Sequence, residues 1–149
     1  MSLSDHATAR LALGVILIGA TLLPATLSAA EAMDPTEPQL QRCLDDAENA
    51  STAGQTGCED SAANAYDRRM NAAYATLMRD LPANAAAHLR DAQRARLLFR
   101  DTNAMATSAL FETRKATMYV PMQAASQTAT VRDRAIELEH LQRILRIEG

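Results

Sequence analysis

The fold class predicted by the sequence is all-α: a small helical bundle of three long helices plus one short N-terminal helix. Its composition favours helix, because alanine is abundant while glycine (5 residues) and aromatic residues (3%) are scarce. Apolar residues recur at helical spacing in three long segments, and no strand pair or hairpin signal stands out. Hydrophobic residues make up 48% and charged residues 22%, which is typical of a globular chain.

Residues 1–32 are predicted to be a secretory signal peptide that is cleaved. A basic residue precedes the apolar run LALGVILIGATLL (11–23), and small residues lead to a cleavage site after Ala30 or Ala32. The run is shorter than the ~20 apolar residues of a spanning helix. We therefore expect a single periplasmic or secreted domain over residues 33–149, with no stable membrane anchor after cleavage.

Cys43 and Cys58 are the only cysteines, and we predict that they form one disulfide. An exported chain meets an oxidising compartment, where such a pair is oxidised. The segment 44–57 between them is rich in turn and cap residues. Closing this loop stabilises the fold by about 3 kcal/mol in the chain-entropy model. A redox or metal pair is the alternative, but either usually has cysteines closer together or further ligands nearby.

Caps and prolines place the first two helices. The short helix is predicted over about 38–49, since Pro38 suits a first turn. The second helix is predicted to begin at a cap at Asp60 or Ser61 and to end before Pro82. Its core face is an apolar stripe with steps of four, four and three residues: Tyr66, Met70, Tyr74 and Leu77.

The third and last helices are separated by an ambiguous segment. Asn84 is the predicted N-cap of the third helix, which is expected to run to about residue 108, with 114 as the alternative end. Threonine, tyrosine and valine in 113–121 favour an extended passage, and Pro121 supports a break. The last helix is predicted over 122–147. The apolar residues assigned to inward faces are Leu89, Ala92, Phe99 and Met105 with Ala95 and Leu98 beside them, then Val131, Ala135, Leu138, Leu141 and Leu145.

Polar residues lie next to the apolar stripes in YDRRMNAAY (66–74) and AQRARLLFRD (92–101). We predict that they form an interhelix polar frame, a hydrogen-bonded ladder between the second and third helices, because buried charges need such partners. The alternative is that part of the ladder opens onto a surface that binds a partner. The predicted frame comprises Asp67, Asn71, Gln93, Arg94, Arg100 and Asp101.

No catalytic residue, cofactor site or metal site is predicted, and we expect a protein that is not an enzyme. The sequence has no nucleophile elbow and no glycine-rich phosphate loop. Glu137 and His140 form one Glu-x-x-His pattern, whereas di-metal bundles carry it twice. A net charge of −3 argues against nucleic acid as the main partner.

Cys43, Cys58 and two sequence blocks resemble the LprI-like lysozyme inhibitors, a family of small exported domains otherwise of unknown function. YDRRMNAAYATLM matches the family pattern Asp-x-x-Leu-Asn-x-x-Tyr-x-x-Leu, with methionine in place of the first leucine. LRDAQRARLLFRD matches Gln-Arg-x-Trp-x-x-Phe-Arg-Asp, except that Arg96 stands at the tryptophan position. The resemblance covers about residues 43–138.

The chain also departs from the family in a second cysteine pair. By register, that pair falls at about Ala104 and Ser126, and both cysteines are missing here. The joint loss is chemically coherent, since one leftover thiol in an oxidising compartment is a liability.

The resemblance implies an exported binding protein that blocks a lysozyme-type muramidase. Binding residues concentrate on loops held by a rigid frame, so the Cys43–Cys58 loop and TRKATMYVP are the candidate segments. Arg114 and Lys115 are possible partner-binding residues, because cations can reach an enzyme's catalytic carboxylates. The alternative is an envelope structural or interaction protein with no enzyme target, and a hydrolase ranks last.

Overall fold

The computed structural model describes residues 34–147, and the predicted signal peptide lies outside this range. The described chain contains α1 (Glu37–Asp45), one turn of 3₁₀ helix (Ala47–Asn49), α2 (Thr52–Asp80), α3 (Ala83–Glu112) and α4 (Tyr119–Leu145). No strand occurs within residues 34–147. The predicted class, three long helices plus one short helix, is therefore confirmed. None of the described helices is long and apolar enough to cross a membrane.

α2 and α4 pack side by side and run in the same direction. The Thr128 hydroxyl donates to the Glu59 carbonyl at 3.1 Å, and further along Arg69 donates to Glu139, so residues 69 or 70 positions apart lie level. α3 runs antiparallel to α4. The core lies mainly between α2 and α4, and α1 covers one end of it. Its buried members are Leu40, Cys58, Ala62, Tyr66, Met70, Ala73, Leu77, Ala135 and Leu138.

α2 begins at Thr52, well before the cap predicted at Asp60 or Ser61. Its N-cap is Ser51, whose Oγ accepts from the Gly54 N–H at 3.0 Å. A Cβ on Gly54 would lie 2.6 Å from the Asn49 Cα, so glycine allows the 3₁₀ turn to pack against the first turn of α2. Gly54 therefore lies in a helix and allows the backbone at Asn49 to approach it closely, whereas the sequence pattern placed this glycine in a turn.

Pro82 and Pro121 lie at the starts of α3 and α4, whereas the sequence prediction placed both of them outside these helices. Pro82, not Asn84, is the residue before the first turn of α3. α4 begins at Tyr119, so Pro121 lies inside its first turn and the extended passage predicted up to Pro121 is shorter. Proline is tolerated there because a first-turn N–H has no partner within the helix. The loop between α3 and α4 is 113–118.

α3 packs less tightly than the other long helices. Of its thirty residues, all of which the structure describes, Ala86 alone is buried. Leu98, Phe99 and Met105, which were assigned to or beside the inward face, are 71%, 56% and 67% exposed. That part of the prediction is wrong, because the side of α3 that faces α4 is occupied by polar residues, Arg96 among them.

Candidate functional site at the loop end of the bundle

Two loops lie at the same end of the bundle. Because α2 and α4 run in the same direction, the segments that precede them, 46–51 and 113–118, lie at one shared end. The first segment belongs to the loop closed by the two cysteines. The second contains Arg114 and Lys115. These two loops belong to the segments that the sequence analysis predicted as candidate binding segments.

The disulfide between Cys43 of α1 and Cys58 of α2 is present, with Cα atoms 5.7 Å apart. Asn49 Nδ2 donates to the Cys43 carbonyl at 3.0 Å, which fastens the loop from inside. The Asp46 carboxylate accepts from the Glu48 N–H at 3.0 Å and caps the 3₁₀ turn. The loop is therefore held by a covalent bond and by satisfied backbone groups, as a rigid binding surface requires.

The loop 113–118 is short and its start is well defined. The Thr113 hydroxyl donates to the Leu110 carbonyl at 2.7 Å, and the Arg114 N–H donates to the Phe111 carbonyl at 2.9 Å. Arg114 and Lys115 are both exposed. Within residues 34–147, neither side chain forms an ion pair. Their charges are therefore open to solvent or to a partner.

The loop end carries both signs of charge. Asp45, Asp46 and Glu48 are exposed on the side of the disulfide loop, and Arg114 and Lys115 are exposed on the other loop. Such an end can bind a surface that also has both signs of charge, because electrostatic complementarity sets orientation and suppresses wrong partners.

Four residues of the predicted polar frame bond locally. Asn71 donates to Asp67 at 2.9 Å along α2, and Arg100 donates to Asp101 at 2.7 Å along α3. All four are exposed, and among the hydrogen bonds of residues 34–147 none joins one pair to the other. Asp67, Asn71 and Arg100 do line one cleft between α2 and α3. The cleft separates α3 from α2 at this point, so each of these side chains finds its nearest hydrogen-bond partner on its own helix.

Gln93 is the frame residue that bonds to another helix, and its partner is on α4 rather than α2. Its Oε1 accepts from Arg134 Nε at 2.9 Å. Arg134 is 6% exposed and also pairs with Glu137 at 2.9 Å, but its Nη2 has no hydrogen-bond partner within the described chain. Arg94, the sixth residue, pairs with Asp91 at 3.6 Å on α3 itself.

The main polar link between helices involves Arg69 of α2, which no sequence pattern singled out. Its Nε and Nη2 donate to the two carboxylate oxygens of Glu139 on α4, at 2.8 and 2.7 Å. Its Nη1 pairs with Asp34 and donates to the Thr36 hydroxyl at 2.9 Å. The guanidinium also lies over the Tyr66 ring, 5.1 Å from its centroid. Arg69 thus joins α2, α4 and the segment before α1.

The pKa shifts in this network follow from its burial and its hydrogen bonds. Burial raises the pKa of Asp34, but hydrogen bonds from Tyr66, Arg69 and the Thr36 N–H together hold it below its ordinary value of 3.8. Burial and the 2.5 Å hydrogen bond to Asp34 raise the pKa of Tyr66. The hydrogen bond to Glu139 is the largest cause that raises the pKa of Arg69. Each group therefore keeps its usual charge at neutral pH, unlike a tuned catalytic acid or base.

A cavity of about 210 Å³ separates parts of α3 and α4. Ala104 and Ser126, the positions expected for the family's second cysteine pair, both line it from neighbouring helices. Arg96, at the family's tryptophan position, donates to the Thr130 carbonyl at 3.0 Å and lies over the Phe99 ring, 5.6 Å from its centroid. Arg96 therefore makes a contact between α3 and α4 in the part of the chain where a covalent link is missing.

Glu137 and His140, the one Glu-x-x-His pattern, have no neighbours that complete a metal site. Within residues 34–147, no group of three or more histidine, cysteine, aspartate or glutamate side chains is placed to hold a metal ion. Glu137 instead pairs with Arg134, and His140 is exposed.

Comparison with known proteins identifies a family and a similar solved structure. The family model described as lysozyme inhibitor LprI matches residues 43–138. A search of curated proteins finds no match. A crystal structure of an uncharacterized protein from Burkholderia thailandensis is similar, with a TM-score of 0.73 and 32% identity over 78% of this chain. The match spans 57% of the length of that protein.

Proposed function

Because this chain belongs to the lysozyme inhibitor LprI family, we propose that it is an exported, non-enzymatic protein that binds a lysozyme-type muramidase and inhibits it. The observation that carries the proposal is the family match over residues 43–138, which includes the disulfide and both sequence blocks. Cleavage of residues 1–32 and release into the periplasm or medium belong to the same proposal. The disulfide supports export, because such bonds persist in oxidising compartments.

The enzyme is proposed to bind the loop end of the bundle. Muramidases act through a pair of carboxyl groups across a cleft, and Arg114 and Lys115 offer two exposed cations on one short loop. Lysozymes are commonly basic, so the exposed acids Asp45, Asp46 and Glu48 suit the rim of such a cleft. The disulfide loop supplies rigidity, which lowers the entropy lost on binding.

A lysis assay tests this function. Clearing of a cell-wall suspension by added lysozyme is measured with increasing amounts of the exported chain, and we expect slower clearing at saturating inhibitor. If none of several lysozyme types is inhibited, the proposal is overturned. Wall clearing by the chain alone would instead indicate a hydrolase.

A paired substitution tests the binding end. Arg114→Ala with Lys115→Ala is expected to weaken inhibition at least about tenfold, since two charged contacts are lost. The matched control is Arg143→Ala with Arg146→Ala, which removes the same charge from exposed positions at the other end of α4. Equal loss in both double variants would mean that net charge, not the loop, governs binding.

A second candidate function is favoured by the exposed apolar side chains of α3. An envelope interaction protein with no enzyme target would use such a surface for a protein contact, and Leu98 and Met105 are among the most exposed large apolar residues of the described chain. In the same lysis assay, this candidate predicts no effect on any lysozyme.

A further inference from the structure

The outer face of α3 carries an apolar stripe that no other helix of the described chain covers. Its members recur at steps of three and four residues, the spacing of a coiled-coil seam. All of them are exposed, and Leu98 and Met105 are 71% and 67% exposed. The stripe consists of Ala95, Leu98, Thr102, Met105 and Ala109.

The stripe alternates small and large side chains. Ala95, Thr102 and Ala109 occupy one heptad position, and Leu98 and Met105 occupy the other. Its one polar group is already satisfied, because the Thr102 hydroxyl donates to the Leu98 carbonyl at 2.8 Å. The face can therefore leave water without stranding an unpaired donor, which would otherwise cost about 1–3 kcal/mol.

We propose that two copies of this chain associate through this stripe, with their α3 helices antiparallel about a two-fold axis that passes between Asn103 and Ala104. In this register, Leu98 faces Ala109 of the second copy and Met105 faces Thr102 of the second copy. Every large side chain then meets a small one, which fills space evenly on both sides of the axis. This inference is independent of lysozyme binding.

Charges that flank the stripe favour the same register. Arg94 comes within one helical step of Glu112 of the second copy, and the two-fold axis repeats this pair at the other end of the stripe. Arg94 and Glu112 are both exposed, so this pair can form at the rim. A parallel pair would instead place Leu98 against Leu98 and Ala95 against Ala95, which leaves gaps at the alanines.

The expected dimer is weak. The stripe extends over 15 residues, or about 21 Å of helix, and offers two large apolar side chains per copy, a smaller contact than a standard stable interface. We expect a dissociation constant in the micromolar range, since burial of a few apolar side chains must offset the entropy lost on association.

Sedimentation equilibrium of the exported chain, from submicromolar to several hundred micromolar protein, measures this association. We expect a concentration-dependent change from monomer to dimer. Leu98→Glu with Met105→Glu should raise the dissociation constant on the order of 100-fold, because four carboxylates would then have to leave water in one seam. The control is Leu110→Glu, which alters a residue 56% exposed that lies about 100° around the helix from Ala109 and should leave association unchanged.

Disulfide trapping tests the antiparallel register separately. Thr102→Cys and Met105→Cys chains are mixed and oxidised, and we expect the mixed disulfide to exceed either self-pair. Preferred self-pairing of Thr102→Cys would indicate either a parallel dimer or a different two-fold axis, and either would overturn the register. A chain that remains monomeric throughout, or a dimer that survives both glutamates, would overturn the proposal, and unchanged helical circular dichroism verifies that each variant is folded.

Discussion

At the scale of single residues, Arg69 shows how one side chain can hold several elements of a bundle. Its side chain is 18% exposed, and those of Asp34 and Glu139 are 21% and 25% exposed. Arg69→Ala leaves these two carboxylates near each other without their shared cation. We expect the free energy of unfolding, measured by urea denaturation, to fall by about 2 kcal/mol, less than for a fully buried pair because solvent screens the charges.

Arg79 provides the control for Arg69. It pairs with its neighbour Asp80 at 2.8 Å, but its side chain is 67% exposed and the contact joins no two helices. Arg79→Ala should therefore change the free energy of unfolding by less than about 0.5 kcal/mol. Similar losses in both alanine variants would show that the Arg69 contacts do not fasten the helices together.

Asp34 gives a pH dependence with a definite sign. Its pKa is lower in the folded state than in the unfolded chain, so its contribution to stability is present above about pH 4 and lost as pH falls through the folded value. Asp34→Asn should thus reduce stability at neutral pH, and the difference from wild type should shrink as the solution is acidified towards about pH 3. Urea denaturation midpoints of both proteins, determined across this pH range, measure the difference in stability. A difference that stays constant over that range would contradict the assignment.

Arg69 also shows what sequence reasoning misses at this scale. Arg68 and Arg69 are adjacent and chemically identical, and the partners of Arg69 are 35 and 70 positions away. An ion pair between distant segments leaves no periodic signal in the sequence. The apolar residues Tyr66, Met70 and Leu77 do recur at helical spacing, and all three are buried as predicted.

At the scale of helices, the first turns of α2 contain a matched pair of glycines. Gly54→Ala forces a Cβ to within 2.6 Å of the Asn49 Cα, so the 3₁₀ turn must shift. Gly57→Ala meets nothing within 4 Å. We expect Gly57→Ala to stabilise the protein by about 0.5–1 kcal/mol, because alanine is the better helix residue, and Gly54→Ala to destabilise it.

Urea denaturation of the two glycine variants measures both effects. The two substitutions add the same methyl group to the same helix, so each is the control for the other. Stabilisation by both would mean that the turn does not press against α2.

Helix faces were predicted well where one face is apolar and poorly where apolar residues are shared between two faces. On α3, Leu89 packs against the core, while Leu98 and Met105 point away from it. The spacing of apolar residues identifies a stripe but not which neighbour covers it. The frame was likewise expected between α2 and α3, whereas Gln93 bonds to Arg134 on α4. Facing partners depend on how helices are arranged, which one sequence does not state.

At the scale of the whole molecule, packing is concentrated in one part of the bundle. Core residues of the described chain come from α1, α2 and α4, and α3 adds Ala86 to the buried residues and Leu89 at the margin of the core. The disulfide pins α1 to α2 at one end, and Arg69 joins α2 to α4. The outer half of α3 has neither a covalent link nor a buried apolar residue, although the family usually has a cysteine pair there.

This uneven packing predicts uneven local stability. Segments with few buried contacts open with lower free energy than the core, so amide hydrogens in residues 98–112 of α3 should exchange at least about tenfold faster than those in residues 62–77 of α2. Hydrogen exchange followed by mass spectrometry measures this difference at submicromolar protein, where the proposed dimer is dissociated. Equal protection of both segments would contradict it. Raising the protein concentration should then slow exchange in α3 and leave α2 unchanged, because a second copy covers the face that this chain leaves open.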